Sequence, residues 1–287
     1  MNAIRSVGVV GAGTMGLGIA QVCAAAGFNT LLFDISPEQV QRALRTIEGN
    51  LSSSVSKGKL TSESREVILS RIRPAADASE LRVDLVIEAA IERLDIKKEL
   101  FAKLEQINEG QAILASNTSS ISITEIASSL RDPSSCIGLH FFNPADRMRL
   151  VEVISGKTTR PAIREAMRRF AESIGKISVI AKDSPGFIVN RVARHYYVES
   201  LKLLEDRAAD IEPIDALLRA SGFKMGPFEL MDLIGVDTNL AVTTSVYEGF
   251  QRTHKFKPSR IQQHLVSEGH LGRKTGRGFY EYAEGKK

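Results

Sequence analysis

The first residues that could do chemistry are three glycines near the start of the chain. They lie in Gly11-Ala12-Gly13-Thr14-Met15-Gly16, which fits G-x-G-x-x-G, follows a predicted strand at residues 6–10 and opens a predicted helix at residues 15–26. The first glycine permits a tight turn, the second lets the backbone approach a pyrophosphate, and the third lets helix and strand pack closely. Phosphates then lie against the helix N-terminus, where N–H groups and the helix dipole favour anions. The alternative is a glycine-rich turn that binds nothing.

An acidic residue follows where this motif requires one. Asp34 comes directly after the next predicted strand, residues 30–33, and is placed to accept hydrogen bonds from an adenosine ribose. Its charge would repel a 2′-phosphate, and Ile35 and Ser36 supply no arginine to compensate. The sequence therefore predicts a site for NAD rather than NADP, built from Gly11, Gly13, Thr14, Met15, Gly16 and Asp34.

Polar side chains recur at the ends of the later predicted strands, which cover residues 83–87, 112–115 and 136–142. They are, in chain order, Glu88, Glu92, Asn117, Ser119, His140 and Asn143. Because ligands of doubly wound sheets bind at the carboxyl ends of the strands, we expect these side chains to lie beside the cofactor. Each has a simpler alternative: Asn117 or Ser119 as a helix cap, and Glu92 with Lys97 as a solvated ion pair.

One carboxylate lies in a strand that is otherwise apolar. Glu152 is the central residue of residues 150–154, and His140 lies in a similarly apolar run at 139–142. An unpaired buried carboxylate costs several kcal/mol, so Glu152 needs a partner, and a strand–loop–strand connection could supply His140. A carboxylate would set the tautomer of the imidazole and make His140 a general base for an alcohol proton. The alternatives are a purely structural pair and a histidine that is satisfied by backbone groups.

The arrangement of elements predicts the fold class. Short β-branched runs alternate with amphipathic stretches up to a predicted strand at residues 178–181, which favours a Rossmann-type, doubly wound and mainly parallel sheet. Residues 182–186 are polar and contain Pro-Gly, and the chain beyond them is almost entirely helical in pattern. We therefore expect an α/β domain at residues 1–183 and an all-α domain at residues 184–287.

Composition narrows the class of protein further. The 287 residues are 43% hydrophobic and 25% charged, which is typical of a globular protein and excludes disorder. Two cysteines predict neither disulfides nor a metal site, and no apolar run is long enough to cross a membrane. Glycines interrupt the apolar N-terminal stretch, so we expect a cytoplasmic protein rather than a secreted one. A net charge of +4 fits an ordinary soluble surface, a basic patch for an anionic ligand, or nucleic acid, and the charge alone does not choose among them. The sequence has no interleaved aromatic and basic residues of the kind that bind nucleic acid.

Longer segments together resemble the 3-hydroxyacyl-CoA dehydrogenases, and the similarity runs from end to end of the chain. Beyond the glycine motif it covers SNTSS at 116–120, LHFFNP at 139–144, LVEVI at 150–154, DSPGFIVNR at 183–191, MGPFEL at 225–230 and GRKTGRGFY at 272–280. The chain is most similar to the compact bacterial type that acts on 3-hydroxybutyryl-CoA or 3-hydroxyadipyl-CoA. The resemblance implies reversible, NAD-dependent oxidation of an (S)-3-hydroxyacyl-CoA to a 3-ketoacyl-CoA in fatty-acid or related acyl-CoA metabolism.

The resemblance also implies roles for individual residues. His140 matches the catalytic base and Glu152 its partner, while Ser119 and Asn190 match the groups that hold the substrate oxygen. Further cofactor contacts are implied at Glu92, Lys97, Asn143 and Lys274, and contacts with CoA at Lys57, Lys59 and Ser119. For the two lysines, a solvated helix end is the alternative. The helical domain would bind substrate and form a homodimer.

Other functions remain open at this point. A dehydrogenase of free 3-hydroxy acids and a non-catalytic NAD-binding protein, such as the related lens crystallins, would share much of this pattern. Two segments depart from the family. Residues 145–149 are unusually charged, which leads to the hypothesis that Arg147 or Arg149 accommodates an acidic acyl tail. The second is Arg194-His195-Tyr196-Tyr197, where many relatives carry Arg-Pro.

Overall fold

The structure, a computed structural model, describes residues 4–282. The chain forms two compact units, Met1–Asp183 and Ser184–Lys287. The division falls just before Pro185-Gly186, where the patterning of the sequence changes from alternating to helical. Each unit has a hydrophobic core of its own.

The first unit is built on a single sheet. In the described part of the chain its strands are β1 (Ser6–Val10), β2 (Asn29–Phe33), β3 (Ile72–Pro74), β4 (Leu85–Glu88), β5 (Ile113–Ser116), β6 (Cys136–Phe141), β7 (Leu150–Ser155) and β8 (Ile177–Lys182). Their order is β3-β2-β1-β4-β5-β6-β7-β8. Neighbouring strands are parallel except β6 and β7, which are antiparallel. The predicted Rossmann-type, mainly parallel sheet is confirmed.

Helices cover the sheet because its central strands bury nearly every side chain. They are α1 (Thr14–Ala25), α2 (Pro37–Ser56), α3 (Ser62–Ser70), α4 (Leu94–Ile107), α5 (Ile123–Ala127) and α6 (Pro161–Ser173). The start of α2 follows the sequence signal: Ser36 is the N-cap, its hydroxyl accepts a hydrogen bond from the N–H of Gln39, and Pro37 occupies the first helical position.

Three elements of the first unit were not predicted. The strand β3 has only three residues, and α3 buries only Ile68, so neither leaves a clear periodic pattern. By contrast, α6 buries Ile163, Met167, Phe170 and Ala171, which is the spacing of an amphipathic helix. The pattern that would have revealed α6 was therefore present in the sequence.

The second unit is helical, as predicted. Its helices are α7 (Val189–Glu205), α8 (Ile211–Ala220), α9 (Pro227–Ile234), α10 (Val236–Gly249) and α11 (Arg260–Ser267). The helix α7 begins only at Val189, because Gly186 and Phe187 both have positive φ angles and form a turn. No helix within residues 4–282 is both long and apolar enough to cross a membrane.

Two buried aspartates hold the end of the described chain onto the second unit. Asp215 on α8 accepts hydrogen bonds from the N–H of Phe228 at 3.0 Å and from the hydroxyl of Tyr280 at 2.8 Å. Asp232 on α9 accepts from the N–H groups of Phe279 and Tyr280 at 2.9 and 3.0 Å. These buried carboxylates are satisfied by donors from distant parts of the sequence, which fastens the C-terminal segment to α8 and α9.

Candidate functional site

The candidate site lies at the carboxyl edge of the sheet in the first unit. The parallel strands β1, β4, β5 and β6 all end there, and the register pairs Val10 with Glu88 and Glu88 with Ser116. Because β7 runs the other way, it begins at this same edge. The polar residues that follow the strands in sequence are thereby brought to one side of the sheet.

The glycine turn has a different physical requirement at each glycine. Gly11 has a φ of 99°, and a Cβ on it would lie 2.5 Å from the carbonyl oxygen of Ala89. A Cβ on Gly16 would lie 1.7 Å from the carbonyl oxygen of Gly11. A Cβ on Gly13 would meet no protein atom within 4 Å. The protein itself thus requires Gly11 and Gly16, whereas Gly13 faces open space that a ligand could fill.

The N-terminus of α1 is suited to a phosphate. Its N-cap is Gly13, which supplies no side-chain cap, and its first turn has no acidic residue. The helices α2, α3, α5 and α11 instead have serine or threonine caps that accept from their own N–H groups. Together with the space at Gly13, this arrangement fits the pyrophosphate of NAD.

Asp34 contacts the glycine turn directly. Its Oδ2 accepts a hydrogen bond from the N–H of Ala12 at 2.8 Å, and its Oδ1 accepts from the N–H of Ser36 at 3.0 Å. The side chain of Gln39 donates to the carbonyl oxygen of Ala12 at 3.0 Å. Ile35, beside this half-buried carboxylate, is 93% exposed. Asp34 therefore orders the turn that carries the glycines.

The lysine expected at the cofactor is buried rather than solvated. Lys97 on α4 is 1% exposed, and its ammonium lies 2.5 Å from Glu88 Oε1 and 3.3 Å from Glu92 Oε2. Glu88, also buried, accepts further hydrogen bonds from the hydroxyl of Ser116 and the N–H of Ala90, both at 2.7 Å. The alternative of a solvated pair is wrong, because Lys97 is enclosed between one buried and one partly exposed carboxylate.

Glu88, Glu92 and Lys97 form an ion cluster, and Glu92 links it to the segment after β5. Its Oε1 accepts from the hydroxyl of Thr118 at 2.6 Å and from the N–H of Ser119 at 3.0 Å. Burial alone would raise the pKa of Glu92, but the charge of Lys97 and these hydrogen bonds outweigh it, so the pKa lies below its ordinary value. A carboxylate that stays ionised at neutral pH can accept hydrogen bonds from a sugar.

Asn117 and Ser119 are not helix caps. The helix that follows them, α5, is capped by Ser122, whose hydroxyl accepts from the N–H of Glu125. Asn117 Oδ1 accepts from the N–H of Phe141 at 2.8 Å and so ties the end of β5 to the end of β6. Both residues lie at the carboxyl edge, where the strand pattern predicted them.

His140 and Glu152 face each other across the antiparallel pair. They are register partners on β6 and β7, and His140 Nδ1 lies 2.7 Å from Glu152 Oε2. His140 is 5% exposed and Glu152 is 1% exposed. A carboxylate accepts hydrogen bonds only, so this contact assigns the hydrogen to Nδ1 and leaves Nε2 as the basic nitrogen. The arrangement can move a proton at Nε2 and stabilise the resulting imidazolium.

The remaining predicted residues lie in several places. Asn143 is exposed in the loop after β6, and Asn190 is half-buried in the first turn of α7, in the second unit. Lys274 is in the second unit too, where its ammonium lies 2.6 Å from Asp237 Oδ1. Lys57 is the C-cap of α2, and both Lys57 and Lys59 are exposed.

Sequence reasoning missed one function of Asp183, which it treated only as the domain boundary. Its carboxylate accepts from the hydroxyl of Ser122 at 2.7 Å and from the N–H groups of Ile123 and Thr124 at 3.0 and 2.8 Å. Asp183 thus anchors the end of β8 to the start of α5, just beyond the segment that carries Ser119. Ser122 and Asp183 are 61 positions apart, so no local sequence pattern could reveal their contact.

Comparison with protein families covers both units. Residues 6–184 match the model of the 3-hydroxyacyl-CoA dehydrogenase NAD binding domain, and residues 186–282 match that of the 3-hydroxyacyl-CoA dehydrogenase C-terminal domain. The first match includes the glycine turn, the ion cluster around Lys97 and the His140–Glu152 pair.

Individual relatives are similar over nearly the whole chain. The chain is 50% identical over 281 residues to the 3-hydroxyadipyl-CoA dehydrogenase of Escherichia coli, covering 97% of this chain and 59% of that protein. It is 42% identical over 285 residues to the 3-hydroxybutyryl-CoA dehydrogenase of Bradyrhizobium diazoefficiens, covering 99% and 97%. The crystal structure of (S)-3-hydroxybutyryl-CoA dehydrogenase from Ralstonia eutropha superimposes with a TM-score of 0.95 at 40% identity, covering 98% and 100%. The chain therefore spans about three fifths of the length of the Escherichia coli relative.

The space at Gly13 leads to a prediction about cofactor binding. Gly13→Ala should keep the fold, because its φ of −70° suits alanine and the added Cβ meets no protein atom. It should weaken NADH binding about tenfold or more, since the methyl group occupies the approach to the phosphates. Titration by NADH fluorescence, with thermal denaturation alongside, measures both. Gly49→Ala on the exposed side of α2 is the matched control and should leave NADH affinity unchanged. A folded Gly13→Ala variant with wild-type affinity would contradict the assignment.

Proposed function

Since the chain belongs to the 3-hydroxyacyl-CoA dehydrogenase family, we propose that it catalyses the reversible, NAD-dependent oxidation of an (S)-3-hydroxyacyl-CoA to the 3-ketoacyl-CoA. The observation that carries the proposal is the buried pair of His140 and Glu152 at the carboxyl edge, 2.7 Å apart. An NAD-binding protein without catalysis would have no need of a buried base–carboxylate pair at the edge of the sheet where the glycine turn also lies. The reaction would serve fatty-acid or related acyl-CoA metabolism.

The pair supplies the proton transfer. His140 Nε2 takes the proton of the 3-hydroxyl group, and the hydrogen on C3 leaves as hydride. NAD⁺, when bound, would supply the acceptor for that hydride. Glu152 holds Nδ1–H and stabilises the positive charge that forms on the ring, an interaction strengthened by burial in a medium of low dielectric. In the reverse direction the imidazolium returns the proton to the carbonyl oxygen.

The other site residues position the reactants. Ser119 and Asn190 hold the substrate oxygen, and correct orientation of that oxygen is worth several kcal/mol. The cofactor is held by the glycine turn with Thr14 and Met15, by Asp34, and by Glu92, Asn117, Ser119, Asn143 and Lys274. Lys97 acts on the cofactor through Glu92, because its ammonium is enclosed by carboxylates. Lys57, Lys59 and Ser119 contact the CoA.

We also propose a homodimer formed by the second unit and a location in the cytoplasm. Several large apolar side chains of this unit are exposed, among them Val192 and Leu217 at 67%, Phe223 at 52% and Leu233 at 50%. A second copy of the chain would cover these side chains and remove their apolar surface from water. The two cysteines suit a reducing compartment: both are free and buried, and burial raises the pKa of Cys23 to about 12. Cell fractionation tests the location.

The catalytic pair leads to a prediction about turnover. Wild-type protein should oxidise NADH with acetoacetyl-CoA and not with free acetoacetate, as followed by absorbance. Glu152→Gln should lower kcat by roughly 100-fold or more, because the imidazolium loses its counter-charge, and should leave the Kd of NADH unchanged. Glu165→Gln on the surface of α6 is the control and should behave as wild type. An unchanged kcat would make Glu152 merely structural.

The charged loop leads to a prediction about substrate class. Arg147 is exposed, and the one ion pair of its guanidinium within residues 4–282 is a 3.9 Å contact with Asp146, so the guanidinium is available to a carboxylate. We expect Arg147→Ala or Arg149→Ala to reduce kcat/KM for 3-hydroxyadipyl-CoA about tenfold while sparing 3-hydroxybutyryl-CoA. Arg164→Ala on α6 serves as the charge-matched control. Equal losses on both substrates would reject a role in reading an acidic tail.

The dimer is tested by charge substitution. Leu217→Asp or Val192→Asp should convert the assembly to monomers in sedimentation velocity, because a buried unpaired carboxylate opposes association. Val67→Asp places the same charge on an exposed apolar position of α3 in the first unit and should not change the mass. If both Leu217→Asp and Val192→Asp remained dimeric, the interface would not include these positions.

A further inference from the structure

The loop that joins the two strands of the catalytic pair contains a compact turn. The N–H groups of Arg147 and Met148 donate to the carbonyl oxygen of Pro144 at 3.1 and 2.9 Å. Ala145, inside this turn, is 1% exposed although it lies in a loop. It packs on α1, because a Cβ on Gly18 would lie 3.1 Å from the Cβ of Ala145. The turn at residues 144–148 thus touches the helix whose N-terminus faces the cofactor.

One buried ammonium binds both ends of that turn. Lys176 Nζ donates to the carbonyl oxygen of Ala145 at 2.5 Å and to that of Met148 at 2.8 Å. Lys176 lies between α6 and β8 and is directed inwards by a left-handed turn, in which Gly175 has a φ of 74° and the N–H of Lys176 donates to the carbonyl oxygen of Ala171. The backbone of β8 then continues the sheet from Ile177, whose N–H donates to the carbonyl oxygen of Arg149.

A lysine in this position is energetically expensive. Lys176 is 8% exposed, and none of the ion pairs among residues 4–282 includes it. Burial lowers its pKa, with only partial compensation from Asp146. A side chain needed only to fill space would be apolar, since an ammonium loses its hydration on burial. The ammonium of Lys176 instead donates hydrogen bonds to two carbonyl oxygens of the turn.

We propose that Lys176 is a positioning residue for the reaction: it clamps the turn at residues 144–148 against α1. The clamp fixes the loop between β6 and β7, and so fixes His140 and Asn143 relative to the cofactor-binding helix. This inference rests on the proposed dehydrogenase activity. Lys176 itself contacts neither the pair nor the glycine turn; it acts through the turn.

The experiment compares two ways of loosening the turn. Lys176→Met keeps the length of the side chain and removes both hydrogen bonds, so kcat for acetoacetyl-CoA should fall about tenfold or more, because small displacements of reacting groups lower rates strongly. The KM for acetoacetyl-CoA should change less than about threefold, since the turn holds none of the proposed CoA contacts. Gly18→Ala pushes the same turn from the other side through Ala145 and should lower kcat in the same way.

Two controls separate positioning from stability. Phe170→Leu weakens the core beneath α6 without touching the turn and should lower the melting temperature while preserving kcat. The double variant Gly18→Ala/Ala145→Gly restores the space and should recover kcat relative to Gly18→Ala alone. Should Lys176→Met not fold, the two Gly18 variants carry the test.

The outcomes distinguish this inference from the proposed function. Wild-type protein without turnover of acetoacetyl-CoA would overturn the proposed function. If the wild type is active and a folded Lys176→Met variant has the same kcat for acetoacetyl-CoA, the positioning role of Lys176 is overturned and the proposed function stands. Wild-type kcat in Gly18→Ala, or a kcat that Ala145→Gly does not restore, would overturn it as well.

Discussion

A carboxylate buried among apolar strands must have a partner, and the geometry of this site depends on how Glu152 meets that requirement. The partner is His140, directly opposite on the neighbouring strand. The two face each other because β7 is antiparallel to β6, whereas the strand pairs from β3 through β6 are parallel. The reversal brings Glu152 back to the carboxyl edge, where β1, β4 and β5 also end.

The same rule explains the other buried charges of the first unit. Glu88 is paired with Lys97 and capped by a hydroxyl and an N–H group, which orders the loop that leads to Glu92. Lys176 is satisfied by carbonyl oxygens instead of a carboxylate. In each case a charge that would be destabilising alone holds a loop of the site in one conformation.

In the second unit, Arg194 is a buried charge that neutral acceptors satisfy. Arg194 is 3% exposed and donates to the carbonyl oxygen of Asn239 at 3.0 Å and to the hydroxyl of Thr243 at 2.9 Å. Burial lowers its pKa to about 10. The guanidinium therefore links α7 to α10, and it also donates to the carbonyl oxygen of Asn190 at 3.2 Å. Its contacts lie within the helical core rather than on an exposed surface.

Local sequence determined most of the secondary-structure elements and which types of residue form the candidate site. The glycine spacing, the acidic residue after β2 and the apolar strand around Glu152 each have a physical cause within a few residues, so they could be read directly. The tertiary structure decided what depends on pairing between distant segments: the enclosure of Lys97 by two carboxylates, the anchoring of α5 by Asp183, and the clamp of Lys176 on the turn. Those contacts join residues 5 to 61 positions apart. Helical or strand periodicity describes which face is apolar, and it carries no information on which distant donor meets which acceptor.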